Sequence, residues 1–189
     1  TFFNYGRITA YEKNTWLPLT AAISEGTNDG VIIAQNDAID GSTRAVAWNT
    51  GESVNNGLIE AISTHEAFAV WGELFSGFTN NGIIRAIGGQ SNDPIGIIGF
   101  RNGGSAGLHF LNTGTIWSSS TVSGQSAVGI SFFPSSTNPY SGMWITNTGT
   151  IVADRAIVLT GGYNVATSLL NSGHIEGSIE LDSGVNVIQ

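Results

Sequence analysis

Cysteine is absent from this chain of 189 residues, methionine occurs once and proline four times. Without cysteine there is neither a disulfide framework nor a thiolate metal site. Charge is also sparse. Asp, Glu, Lys and Arg together make up 11% of the residues, under half the quarter usual for a globular chain. Positive charge is scarcest: 6 basic residues, with Lys13 the single lysine, stand against 14 acidic ones, for a net charge of −8. Such a chain has no electrostatic footprint for a phosphate backbone, so no nucleic-acid partner is expected. Anionic membrane surfaces would repel it, and its apolar runs are far too short for a span, so no membrane insertion is expected. No signal peptide is visible and the first residue is Thr1; the expectation is processed material, or a piece of something longer.

What is present is Gly at 26 positions, Asn at 17 and Ile at 21, within a chain that is 41% hydrophobic. Low charge with abundant Gly, Asn, Ser and Thr is neither the disordered nor the helical signature. It suits many tight turns and short strands. The length is enough for one substantial core, and a single domain over 1–189 is expected.

One motif recurs, Asn-x-Gly-x-Ile. Its asparagines are Asn4, Asn28, Asn55, Asn80, Asn112, Asn147 and Asn171. Its glycines are Gly6, Gly30, Gly57, Gly82, Gly114, Gly149 and Gly173, and its isoleucines Ile8, Ile32, Ile59, Ile84, Ile116, Ile151 and Ile175. Random placement of those residue types would produce roughly 0.3 occurrences. The Gly-to-Gly steps are 24, 27, 25, 32, 35 and 24 residues and cover nearly the whole chain.

Two residues after each Ile stands a small residue: Ala10, Ala34, Ala61, Ala86, Ser118, Ala153 and Gly177. That spacing is the period of a strand with one face inward. Before the corner comes an apolar position, Phe2, Phe78, Phe110, Ile145 or Leu169, broken in the second and third repeats by Gly26 and Ser53. Second apolar segments follow, such as 68–71, 95–100, 128–133, 156–159 and 178–181. Gly and Asn at the corner are expected to supply left-handed backbone.

Two to three short strands per ~24 residues predict an all-β chain, a right-handed parallel β-helix (β-solenoid) of about seven coils. Stacking would turn the Ile residues into an aliphatic ladder and the Asn residues into an amide ladder. A leucine-rich repeat has similar spacing, but its leucine consensus is absent; an antiparallel sandwich would not need one corner motif. The long fourth and fifth steps predict loop insertions around 88–106 and 118–142, where recognition could reside.

Phrases such as Leu111-Asn112-Thr113-Gly114-Thr115-Ile116 and Leu170-Asn171-Ser172-Gly173-His174-Ile175-Glu176-Gly177 resemble the repeats of bacterial autotransporter passengers and other large secreted adhesins. The resemblance spans all seven repeats. It implies a secreted or cell-surface bacterial module serving adhesion, aggregation or a structural stalk. No catalytic residue carries over, because the shared motif is the structural corner.

Candidate chemistry is thin. Parallel β-helices include polysaccharide lyases and hydrolases, which need paired carboxylates or a base beside calcium-binding acids. Asp37 and Asp40 near Arg44 are the one acid pair worth weighing, against ordinary turn carboxylates. Glu60 and Arg85, equivalent positions in adjacent repeats, read as an outer-face ion pair worth little. His65, His109 and His174 have no zinc-ligand spacing, and His174 is expected as a solvated pair with Glu176. No metal, cofactor or catalytic residue is expected.

The outward slots place Val31, Ile33, Leu58 and Ile83 on one face, which predicts either a partner surface or cover by the chain's own loops. Trp117 and Tyr140 are the candidates for a sugar-stacking platform, while Trp48, Trp71 and Trp144 are expected in the core. Phe2-Phe3-Asn4 and Val185-Asn186-Val187-Ile188-Gln189 read as the same strand of a coil, with Gln189 near the Asn slot. Bare coil ends invite axial pairing. The expected function is therefore a non-catalytic structural or adhesive module, extracellular or on the cell surface. Its partners would be other copies of itself or neighbouring coils of a longer chain, with a host glycan or surface protein as a further possibility. Two alternatives stand beside it: a subunit of a self-assembling extracellular filament stacked head to tail, and a β-helix polysaccharide lyase or hydrolase.

Overall fold

The structure, a computed structural model, describes residues 2–13, 19–23, 26–38, 42–48, 51–72, 77–89, 92–98, 108–133, 142–159, 166–181, 184 and 186–189. Among the described residues every regular element is a strand.

One sheet collects the strands that lead into the corners. In chain order they are β1 (Phe2–Asn4), β4 (Gly26–Asn28), β7 (Glu52–Asn55), β10 (Gly77–Asn80), β13 (Leu108–Asn112), β16 (Met143–Asn147), β18 (Thr167–Asn171) and β20 (Asn186–Ile188). The strands leaving the corners are β2 (Arg7–Glu12), β5 (Val31–Asn36), β8 (Leu58–Ser63), β11 (Ile83–Gly88), β14 (Thr115–Ser120), β17 (Thr150–Leu159) and β19 (His174–Glu180). A third column holds β3 (Leu19–Ile23), β6 (Thr43–Trp48), β9 (Ala67–Gly72), β12 (Asn92–Ile98) and β15 (Val128–Phe133). β17 joins the second and third columns into one 12-stranded sheet, because its first half pairs β14 and its second half β15. All these pairings are parallel. The chain is thus all-β, with parallel sheets stacked as in a β-solenoid.

Register follows the repeat. Asn4 pairs with Asn28, Asn55 with Asn80, Asn112 with Asn147, and Asn147 with Asn171. Period-2 alternation then puts Ile32, Ile59, Ile84, Ile116 and Ile151 inward, each 0% exposed, where full burial of one such side chain is worth about 1.5–3 kcal/mol. Ala34, Ala61 and Ala86 fill the next inward slot. Facing them, the Phe78 and Phe110 rings stack with centroids 5.5 Å apart, and Phe132 from β15 meets Phe110 edge-on. Where Gly26 and Ser53 interrupt that aromatic column, the buried Ser53 Oγ accepts the Gly26 N–H at 3.5 Å.

The corner glycines correct one expectation. Left-handed backbone occurs at Gly26, Gly51, Gly72, Gly124 and Gly177, none of them a corner glycine. What the corners demand is close approach: a Cβ on Gly57 would lie 1.9 Å from the Gly30 carbonyl oxygen, and one on Gly82, Gly114, Gly149 or Gly173 would lie 2.1 Å from the oxygen of the glycine one repeat earlier. Those carbonyls are engaged between repeats: Leu58 N–H donates to Gly30, Thr115 to Gly82 and His174 to Gly149.

The longer fourth and fifth steps contain β12 and β15 respectively, and 121–126 forms an exposed loop ahead of β15. The other parts of those insertions, 90–91, 99–107 and 134–141, lie outside the described residues.

Candidate functional site

The corner column is a continuous amide ladder. Asn4 Nδ2 donates to Asn28 Oδ1 at 2.7 Å, Asn28 to Asn55, Asn55 to Asn80 and Asn80 to Asn112 at 2.8 Å, then Asn112 to Asn147 and Asn147 to Asn171 at 2.7 Å. The same amides reach the carbonyl just past the next corner, as in Asn80 to Thr115 at 3.2 Å. From Asn4 to Asn147 each ladder Asn backbone carbonyl takes two N–H groups from the next corner, as Asn80 takes those of Thr113 and Gly114. Asn28, Asn55, Asn80, Asn112 and Asn147 are 0% exposed. Burial without partners would be costly, and here each has them; the column's chemistry is structural.

A second polar column runs outside it. Asn56 Nδ2 donates to Asp29 at 2.6 Å, Asn81 to Asn56 at 2.7 Å, and Thr113 Oγ1 to Asn81 at 2.8 Å, all exposed.

On the outer face of the second column, Val31, Leu58 and Ile83 are direct neighbours, with Ile33 beside them and followed in register by Glu60, Arg85 and Trp117. Val31, Ile33, Leu58 and Trp117 are half-buried and Ile83 is 47% exposed. Tyr140 lies outside the described residues. The Glu60–Arg85 pair exists, but the expectation of a weak surface pair needs correcting. The Glu60 side chain is only 6% exposed, and Arg85 carries the pair's solvent contact at 41%. Arg85 Nε donates to Glu60 Oε2 while its Cζ sits 6.0 Å from the Trp117 ring centroid. A carboxylate that far from water depends on its cation.

The acid pair comes apart differently. Asp37 is exposed and accepts hydrogen bonds from Gln35 at 3.0 Å and Tyr11 at 2.8 Å. These bonds, Gln35 first, hold its carboxyl below the usual range, opposite to the raised value a general acid needs. The bond to Asp37 in turn raises the Tyr11 phenol. Asp40 lies outside the described residues. Arg44 sits over Trp71, Cζ 4.6 Å from the centroid, and burial lowers its pKa. His174 and Glu176 are 3.7 Å apart and both well exposed. Among the described residues no three His, Asp or Glu side chains group as a metal ion would require.

Trp144 is the clearest departure. It is 41% exposed, not core, because in β16 Met143, Ile145 and Asn147 take the inward positions. Trp71 is half-buried, and the Trp48 side chain lies outside the described residues. Trp144 stacks on His109 with centroids 4.7 Å apart and planes 10° from parallel. Together with Glu52, Gly77, Thr79 and Leu111 they line an open groove of about 400 Å³ on the outer face of the first sheet. Sequence reasoning missed this groove. The signal was available: three residues before the corner Asn stand Glu52, Gly77, His109 and Trp144 in successive repeats.

No protein-family model, no curated protein and no solved structure matches this chain.

Proposed function

We propose that this chain is a secreted or cell-surface structural and adhesive module of a bacterium, built as a right-handed parallel β-helix of about seven coils, one per Asn-x-Gly-x-Ile motif, and non-catalytic. The observation that carries the reading is the unbroken amide ladder from Asn4 to Asn171. Such a ladder locks the repeats in register and yields a stiff rod whose outer faces are free to present side chains. Right-handed winding is the rule for parallel crossovers. Adhesin-type placement outside the cell rests on the resemblance of the corner repeats to autotransporter passengers, and a host glycan or surface protein is the external partner proposed.

A second reading, a filament subunit stacked head to tail, is favoured by the outermost rungs. At the two edges of the first sheet lie β1 and β20, each paired to a neighbouring strand on one side. Axial stacking in register would let β20 of one copy pair with β1 of the next. Neighbouring coils of a longer chain would be held in the same way.

Negative-stain electron microscopy over a range of concentrations, with small-angle scattering, tests both readings. Separate rods roughly 34 Å long, at about 4.8 Å per coil, support the module. Regular fibres with that axial repeat support the filament, and globular particles without an elongated axis reject both. Protease accessibility on intact producing cells tests placement, and complete protection there would reject it.

A further inference from the structure

Glycine is required at most described corners by backbone contact, but nothing among the described residues requires it at Gly77. Its φ lies outside the left-handed region. A Cβ there would sit 3.4 Å from the His109 carbonyl oxygen and 4.0 Å from Glu52 Cγ, which is ordinary contact. Glycine in a strand costs stability and often marks a place where another group approaches closely. Gly77 pairs with Glu52 on one side and His109 on the other. The outer column therefore reads carboxylate, empty rung, imidazole, indole. Among the described residues the Glu52 side chain has no hydrogen-bond or ion-pair partner.

The same three repeats fill the corresponding rungs on the other sheet. Glu60, Arg85 and Trp117 stand in register on β8, β11 and β14, with the guanidinium bonded to the carboxylate and facing the ring. Arg44 against Trp71 repeats the guanidinium–aromatic half of that pattern. We propose that the Gly77 rung is a receptor for an arginine side chain of a partner protein, which stacks on His109 and pairs with Glu52.

The dimensions suit this occupant. Glu52 and His109 are two strand spacings apart, roughly 9.6 Å. A flat guanidinium stacked on the imidazole lies at the level of the missing Gly77 side chain, within reach of the carboxylate. Arginine combines planarity, stacking and bidentate pairing, whereas lysine is a hydrated point charge that cannot stack. The net charge of −8 attracts a basic partner. The groove is larger than one guanidinium and runs on past Val54, Leu111 and Thr146, giving the flanking backbone of a protein segment somewhere to lie.

The receptor gives the binding face proposed above a ligand chemistry and so rests on that reading. The whole chain, labelled with ¹⁵N, would be titrated with N-acetyl-arginine methylamide, its lysine analogue, methyl glucoside, and a pentapeptide with a central arginine. Expected are saturable shifts of the Gly77 and His109 amides and the Trp144 indole, with a Kd of roughly millimolar for the arginine amide. The pentapeptide should bind at least about fivefold tighter, and the lysine analogue at least about fivefold weaker. Gly77→Leu fills the rung and should abolish the shifts with the rest of the spectrum unchanged; Glu52→Gln should weaken binding about tenfold and serves should Gly77→Leu misfold. Equal response to lysine, response to methyl glucoside alone, or binding indifferent to Glu52→Gln overturns the receptor. Equal affinity for the amide and the pentapeptide overturns the protein partner. Rods that ignore every arginine probe sink the receptor and leave the module standing, whereas globular particles that bind arginine do the reverse.

Discussion

At the scale of single residues, two glycines in neighbouring repeats obey different physics. A methyl group on Gly114 would press to 2.1 Å from the Gly82 carbonyl oxygen, while one on Gly77 would meet ordinary contacts among the described residues. Gly114→Ala is therefore expected to lower stability by about 3 kcal/mol, and Gly77→Ala to leave it unchanged or raise it by about 0.5 kcal/mol through a stiffer unfolded chain. Urea unfolding of the two variants checks this, and equal midpoints would reject the close-approach account. Glu180 offers a second residue-scale prediction. Arg155 donates to both its carboxylate oxygens, at 2.7 and 2.5 Å, and this lowers its pKa from 4.5 to about 2. Because the folded value is depressed, the pair favours the folded state above the ordinary 4.5 and loses that contribution as pH falls toward 2. Carboxyl NMR should find Glu180 titrating near 2, and Arg155→Gln should return it toward 4.5. An unchanged midpoint in the variant would assign the shift to something other than Arg155.

At the scale of elements, the two polar columns beside the corners look alike in composition and differ in burial. Asn112 is 0% exposed and holds both Asn80 and Asn147. Asn112→Ala leaves the Asn80 amide without that acceptor, and a loss on the order of 1–3 kcal/mol follows. Asn81 bonds Asn56 and Thr113 in the exposed column, so Asn81→Ala should cost within about 0.5 kcal/mol. Thermal unfolding that ranked them the other way would show the outer column to be the structural one. The strands themselves were legible in sequence wherever an inward Ile and a small residue follow a corner, and the third column was visible as apolar segments. Trp144 was misread because an aromatic next to Met143 and Ile145 looks like core by composition; the alternation within β16 turns it outward.

For the whole molecule, stability should grade from the middle outward. The side chains of β19 and β20 are almost all exposed, whereas β8, β11 and β14 bury Ile59, Ile84 and Ile116 completely. In a quasi-one-dimensional stack each repeat is held by its neighbours, so amides of the middle strands should exchange slowest and those of β19 and β20 fastest. Uniform protection along the stack would mean a single cooperative unit instead.

The sequence by itself determined the repeat, the inward and outward alternation and the identity of the ladder residues. Those are local properties: the period of a strand and the needs of one corner are rewritten in every repeat, so seven copies average out the exceptions. It could not determine why the corner residue is glycine, since the obstacle is a carbonyl one repeat away. Nor could it determine that Glu60 is nearly dry, or that Glu52, Gly77, His109 and Trp144 form one column. These residues are separated by 25, 32 and 35 positions, and the unequal steps hide their alignment. Only the parallel register, which brings each strand onto the next whatever the length of loop between them, sets a carboxylate, a gap and a stacked aromatic pair side by side.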